Sequence, residues 1–217
     1  EDAIMRSILS TLAMLITFSA PISAAEFFVL PGTKTLLMMG ETKSSDVRIL
    51  SDHILKDSID TLILKGPGGD LAAGYGLANL VLQHGINVIV PKNTKCASAC
   101  SIIFSAGRIR EMEERSFLGF HLPFLINENP LEYCSQLIAY TEDKPVDIFS
   151  GLSMKIDPKC LMYTYQMGLN DIRKIRRYVV RDGISENILN LMINTPSDGM
   201  AWVNRENAVN YGLVNKK

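Results

Sequence analysis

Two short apolar runs, TLILK (residues 61–65) and INVIV (86–90), flank a stretch with helical spacing, and this alternation constrains the fold more than anything else in the chain. The first run is bounded by the turn signal GPGG and reads as a buried strand; the second reads as another. The stretch between them predicts a helix over about 70–84, closed by Gly85 as a C-cap, with His84 near the negative end of the helix. Upstream, TLLMMGE (35–41) predicts a short strand. Residues 44–56 predict a helix capped by Ser44, Ser45 and Asp46, with Val47, Leu50 and Ile54 at helical spacing. A further helix begins near Ala99. Strands alternating with helices of about 10–15 residues predict βαβ units, an α/β class and a mostly parallel sheet.

The rest of the chain is less regular. Residues 127–159 scatter Asn, Glu, Pro and Asp, with a helix expected over 130–140 and a loop at DKPVDIFSG (143–151). DIRKIRRY (171–178) is a basic stripe on a helix, read as a solvated face. AWVNRENAVNYGLV (201–214) predicts a strand, a short helix from near Arg205 and a turn at Gly212. Internal repeats and low-complexity linkers are absent from the sequence.

Met5 and Arg6 precede an apolar run, ILSTLAMLITF (8–18), and the small residues Ser23, Ala24 and Ala25. Charge, apolar run and small-residue exit are the parts of a secretory signal peptide, and the run is short for a membrane span of about 20 residues. The expected organisation is a signal peptide with a few upstream residues over 1–25 and one domain over 26–217, periplasmic or secreted. Removing Glu1, Asp2 and Arg6 from 22 basic and 23 acidic residues leaves 21 of each, so nothing marks a nucleic-acid or anionic-membrane partner. Cys96, Cys100, Cys134 and Cys160 are even in number, and in an exported chain disulfides are favoured over thiols. Cys96 and Cys100 can bridge each other, or each can reach Cys134 or Cys160; the sequence does not choose. Their spacing does not suit a zinc site, and no metal is expected.

Between the first two cysteines lies CASAC, centred on Ser98. This serine stands where a strand hands over to a helix, and the alanines beside it let a substrate backbone come close. A serine hydrolase needs a nucleophile, a base, an orienter for the base and backbone donors for the oxyanion. GPGG (66–69) offers exposed N–H groups at the carboxyl end of a neighbouring strand, where open α/β sheets place their sites. Of three histidines, His53 and His84 lie within or at the end of helices and read as structural. His121, at the end of the apolar run FLGF, is the candidate base.

Four segments in order, KGPGGDLAAG, CASACSIIFSAGRIR, LGFHLP and ENAVNYGLV, resemble the Clp protease proteolytic subunit and its secreted relatives in the crotonase-like superfamily. Ser98 lies 29 residues after Gly69, and Gly107 nine after Ser98, as in that family. The resemblance covers about residues 35–214 and implies repeated ββα units, with a mostly parallel sheet and helices packed around it. It also implies Ser98 as nucleophile, His121 as general base, and Gly69 and Ala99 as oxyanion-hole donors. The family's aspartate position falls on Met200, so Asp198, two residues earlier, is the candidate acid; Asp171 and Asp182 are more distant. A Ser–His dyad is the other arrangement, because the acid orients rather than carries the proton. Lys92 and Lys95, the candidates for a serine–lysine pair as in signal-peptide peptidases, lie on the strand leading in and read as solvated charges.

The implied function is an exported serine peptidase acting on a peptide or protein, without cofactor. An exported chain meets no ATP, so no ATP-driven unfoldase is expected as partner; a homo-oligomer is left open. The rivals are a ClpP-fold binding or scaffold protein that has lost activity, favoured by the displaced acid, and a crotonase-type acyl-thioester binder, which export argues against.

Overall fold

Alternate burial along the strands fixes which face each presents. In the computed structural model, which describes residues 25–122, 158–181 and 183–216, β2 (Thr35–Thr42) buries Leu36 and Met38 and leaves Leu37 and Met39 half-buried. Strands β3 (Thr61–Gly69) and β4 (Asn87–Val90) repeat the period of two, burying Leu62 and Leu64, then Val88 and Val90. The buried face meets helices α1 (Ser44–Asp57), α2 (Leu71–Gln83) and α3 (Ala99–Ser105), whose Leu50, Leu77 and Phe104 are fully enclosed. Enclosing such a side chain stabilises the fold by about 1.5–3 kcal/mol.

Among the described residues the sheet has eight strands, and the sites of pairing explain its shape. β1 (Glu26–Val29) lies antiparallel on β2, which runs parallel to β3. At β3 the sheet forks. Residues 61–63 pair with β4, which pairs with β6 (Arg110–Met112). Further along, Gly66 pairs with β5 (Lys95–Ala97), then come β7 (Phe117–Phe120) and, antiparallel at the edge, β8 (Ala201–Asn204). Helices α4 (Pro158–Val179), α5 (Asn187–Ile193) and α6 (Arg205–Asn210) complete the described elements. The class is α/β with a mostly parallel sheet, as the alternation predicts.

Several local expectations change. GPGG is not a turn: β3 runs on through Gly69, and α2 starts only after Asp70, whose carboxylate accepts the Ala73 N–H at 3.0 Å. Helix α1 is not capped by its serines. Its N-cap is Lys43, whose N–H is held at 2.8 Å by Asp46 from inside the first turn. DIRKIRRY is the last part of a 22-residue helix, with Arg173, Lys174, Arg176 and Arg177 exposed as expected while Ile175 and Tyr178 are buried. Strands β1 and β6 and helix α5 carried no clear sequence signal. The segment before Ala25, the helix at 130–140, the loop at 143–151, Cys134 and Asp182 lie outside the described residues, as does the side chain of Cys160. No helix among the described residues is long and apolar enough to cross a membrane.

Candidate active site

Ser98 sits at the junction of β5 and α3 with φ 55° and ψ −124°. A side chain rarely adopts a positive φ, and such a conformation costs about 1–3 kcal/mol unless its surroundings impose it. They do so from three sides. The Ser98 N–H donates to the Gly119 carbonyl of β7 at 2.8 Å, and the Ser98 carbonyl accepts from the Ser101 N–H at 2.9 Å. The fully buried Ser101 hydroxyl lies 2.7 Å from the Cys96 carbonyl and 2.9 Å from that of Gly119, tying α3 to both strands. A disulfide joins Cys96 to Cys100, with Cα atoms 5.2 Å apart, and closes a bracket around the serine. Of the pairings left open by the sequence, the structure has this one.

His121, two residues beyond Gly119, completes a pair with Ser98. Its Nε2 lies 2.8 Å from Ser98 Oγ, and its Nδ1 2.8 Å from the Leu122 carbonyl. A carbonyl only accepts, so in the neutral ring Nδ1 carries the proton and Nε2 accepts from the serine hydroxyl. This is the tautomer a general base needs.

The glycine loop arrives beside the serine through Gly68. Its φ is +94°, and a Cβ there would lie 2.7 Å from Ser98 Cβ and 2.9 Å from the Ala99 nitrogen. Gly69, with φ +138°, follows at the end of β3 against Thr42 of β2. Ala99 is the first residue of α3, so its N–H has no acceptor within the helix. The backbone of Gly68 therefore lies against Ser98 and Ala99, with Gly69 the next residue along the strand.

Asp198 is not brought to the imidazole. It is exposed, in the turn between α5 and β8, and among the described residues its carboxylate makes no hydrogen bond or ion pair. The same turn does pass His121, because Thr195 accepts the Leu122 N–H at 2.8 Å and Ala201 is in register with Phe120. Asp171 is engaged elsewhere, its carboxylate with Lys174 and its carbonyl with the Tyr75 hydroxyl. Lys92 pairs with Glu114, and Lys95 lies over the Trp202 ring. Gly68, Ser101 and the Leu122 carbonyl were missed by sequence reasoning. The only hint was the spacing of Ser98 and Ser101, one helical turn apart.

No protein-family model and no curated protein matches the chain. Solved structures do. A mutant of ClpP1 from Listeria monocytogenes superimposes with a TM-score of 0.52 at 17% identity, over 84% of this chain and 89% of that one. The membrane-bound stomatin-specific protease 1510-N, in complex with a substrate peptide, gives a TM-score of 0.53 at 19% identity, over 82% and 71%. At such identities the likeness is one of architecture, and what it establishes is that this chain has the ClpP-like fold.

Proposed function

We propose that the chain is a serine peptidase working by acyl transfer, and the observation that carries this reading is the 2.8 Å contact between Ser98 Oγ and His121 Nε2. Ser98 Oγ attacks the peptide carbonyl carbon while its proton passes to Nε2. The N–H groups of Gly69 and Ala99 stabilise the oxyanion, and the Leu122 carbonyl, accepting from Nδ1–H, steadies the imidazolium. The tetrahedral intermediate collapses as Nε2 returns the proton to the leaving amine, giving an acyl-enzyme. Water, deprotonated by Nε2, then attacks the ester carbonyl and releases the acid and Ser98.

In this reading residues 1–25 are removed on export, residues 26–217 form the hydrolase domain, and the enzyme acts outside the cytoplasm without an ATP-driven partner. The Cys96–Cys100 bridge supports an oxidising location. A second reading, a binding protein on the same fold, draws support from Asp198, which is exposed and makes no hydrogen bond or ion pair among the described residues.

The test uses protein purified from its native host. Its mass should lack residues 1–25, and a fluorophosphonate probe should label it at Ser98. Labelling should vanish in Ser98→Ala and fall by at least about 100-fold in His121→Ala, the usual worth of a general base. Native protein that stays unlabelled, or that labels equally in Ser98→Ala, overturns the peptidase reading in favour of the binding protein.

A further inference from the structure

An open cleft of about 500 Å³ lies beside the serine elbow, on the sheet face turned away from the buried core. Lys65 and Lys95 form one side of it, and Pro67, Ala97, Met200 and Trp202 supply apolar surface. Gly66 is in register with Cys96, so the two lysines stand side by side across β3 and β5, strands about 4.8 Å apart. Like charges placed opposite each other on neighbouring strands repel. Among the described residues nothing relieves them: no carboxylate lines the cleft, and neither lysine forms an ion pair. Lys95 instead has its ammonium 4.6 Å from the ring centre of Trp202, which is 43% exposed.

The cleft is continuous with the candidate nucleophile. Ala97 immediately precedes Ser98, and Gly119, whose carbonyl holds the Ser98 N–H, has no Cβ because Met200 and Trp202 pack there. A Cβ would lie 2.7 Å from Met200 Sδ and 2.9 Å from Trp202 Cζ3. Lys95 is three residues before Ser98, about 10 Å along a strand, which is the reach of about three residues of an extended substrate. Two cations with no ion-pair partner among the described residues, above an apolar wall, suit a carboxylate on a short apolar stem, carried by an extended peptide. Lys65 and Lys95 are the only basic residues among the described lining of the cleft, too short a track for a nucleic-acid backbone.

We propose that this cleft is a specificity subsite for an acidic residue about three positions from the scissile bond, its carboxylate bridging Lys65 and Lys95 while Trp202 packs on the side-chain stem. The proposal rests on the peptidase reading of Ser98 and names its substrate class as acidic peptides.

Trp202 is the only tryptophan in the chain, so its emission reports on the cleft. The Ser98→Ala protein, which keeps the cleft but cannot turn over, is titrated with two capped peptides, acetyl-Leu-Glu-Ala-Leu-Ala-amide and its Gln counterpart, followed by tryptophan emission and by calorimetry. The Glu peptide should bind about tenfold more tightly, the worth of one charged hydrogen bond. The gap should shrink as salt rises, close in Lys65→Gln and reverse in Lys65→Glu, with far-ultraviolet circular dichroism verifying the fold of both. In the wild-type enzyme the same preference should appear in KM rather than kcat. Equal affinity for the two peptides, or a preference that survives in Lys65→Glu, overturns the subsite. Preferential binding of the Glu peptide that wild-type enzyme never cleaves upholds the cleft and overturns the peptidase reading. Cleavage of both peptides with equal KM does the opposite.

Discussion

At His121 the ring proton on Nδ1 already has an acceptor, the Leu122 carbonyl 2.8 Å away, and this bears directly on the acid. The sequence favours Asp198 as orienter, whereas its carboxylate is exposed and makes no hydrogen bond or ion pair among the described residues. Asp198→Asn should therefore change peptide turnover less than about tenfold, a barrier change of about 1.4 kcal/mol or less. A full triad loses about 10⁴ on the equivalent change, so a loss of that size would give Asp198 the orienting role after all. Ser101 is expected to matter more than its distance from chemistry suggests. Its buried hydroxyl serves the carbonyls of Cys96 and Gly119, the latter also holding the Ser98 N–H. Ser101→Ala leaves buried acceptors under-served, at about 1–3 kcal/mol. It should lower kcat with little change in KM, and Ser101→Thr should recover part of the loss. Equal kcat in Ser101→Ala and wild type would make the residue ordinary core.

Among the elements, the junction of β5 and α3 decides the site, and the disulfide spans it. Cys96 closes the strand side and Cys100 the first turn of the helix, four residues apart. Closing so short a loop restricts the unfolded chain by only about 2 kcal/mol. In the native state the same bond helps impose the positive φ of Ser98. Reduction with dithiothreitol, or the Cys96→Ser/Cys100→Ser double variant, should lower the melting temperature by several degrees and slow fluorophosphonate labelling more than it unfolds the protein. Scanning calorimetry beside labelling rates at 25 °C separates the two, and unchanged labelling would mean that hydrogen bonds alone hold the elbow. GPGG was misread at this scale for a physical reason. Pro and Gly mark a turn in most sequences, but β2 pairs with β3 as far as Gly69, and partners elsewhere in the chain override the local signal.

For the whole molecule, Arg110 does what no local pattern announces. It is fully buried on β6, with Nε 2.8 Å from the Leu213 carbonyl, Nη1 3.0 Å from that of Gly107 and Nη2 3.2 Å from that of Gly212. Asn215 returns the contact by accepting the Arg110 N–H. The tail is thus clamped to β6, in the middle of the chain. Arg110→Ala abandons several charged hydrogen bonds, each worth about 1.5–3 kcal/mol. The urea midpoint should fall by the equivalent of at least 3 kcal/mol, roughly, and Arg110→Lys should restore little because one ammonium cannot span three carbonyls. A midpoint within error of wild type would show the tail held by Leu213 and Val214 packing and the backbone and Asn215 hydrogen bonds, without the guanidinium.

What the sequence determined by itself is what local chemistry and periodicity carry. Alternating apolar strands and amphipathic helices specified an α/β chain with a mostly parallel sheet, because a period of two or of 3.6 already states which face is buried. The small-residue corner at Ser98 and the histidine at the end of FLGF were legible as candidates because few other residues of those types stand at strand ends. Apart from the disulfide, the features that local patterns left open depend on groups far apart in the chain. The tertiary structure set the 2.8 Å approach of His121 to Ser98, the fork of the sheet at β3, the choice of Cys100 as the partner of Cys96, and the meeting of Lys65, Lys95 and Trp202 in one cleft. It also left Asp198 exposed, with no hydrogen bond to the ring among the described residues. Register and crossover geometry are settled by pairing between strands about 20 to 90 residues apart, and a one-residue change in register would turn the strand side chains to the other face.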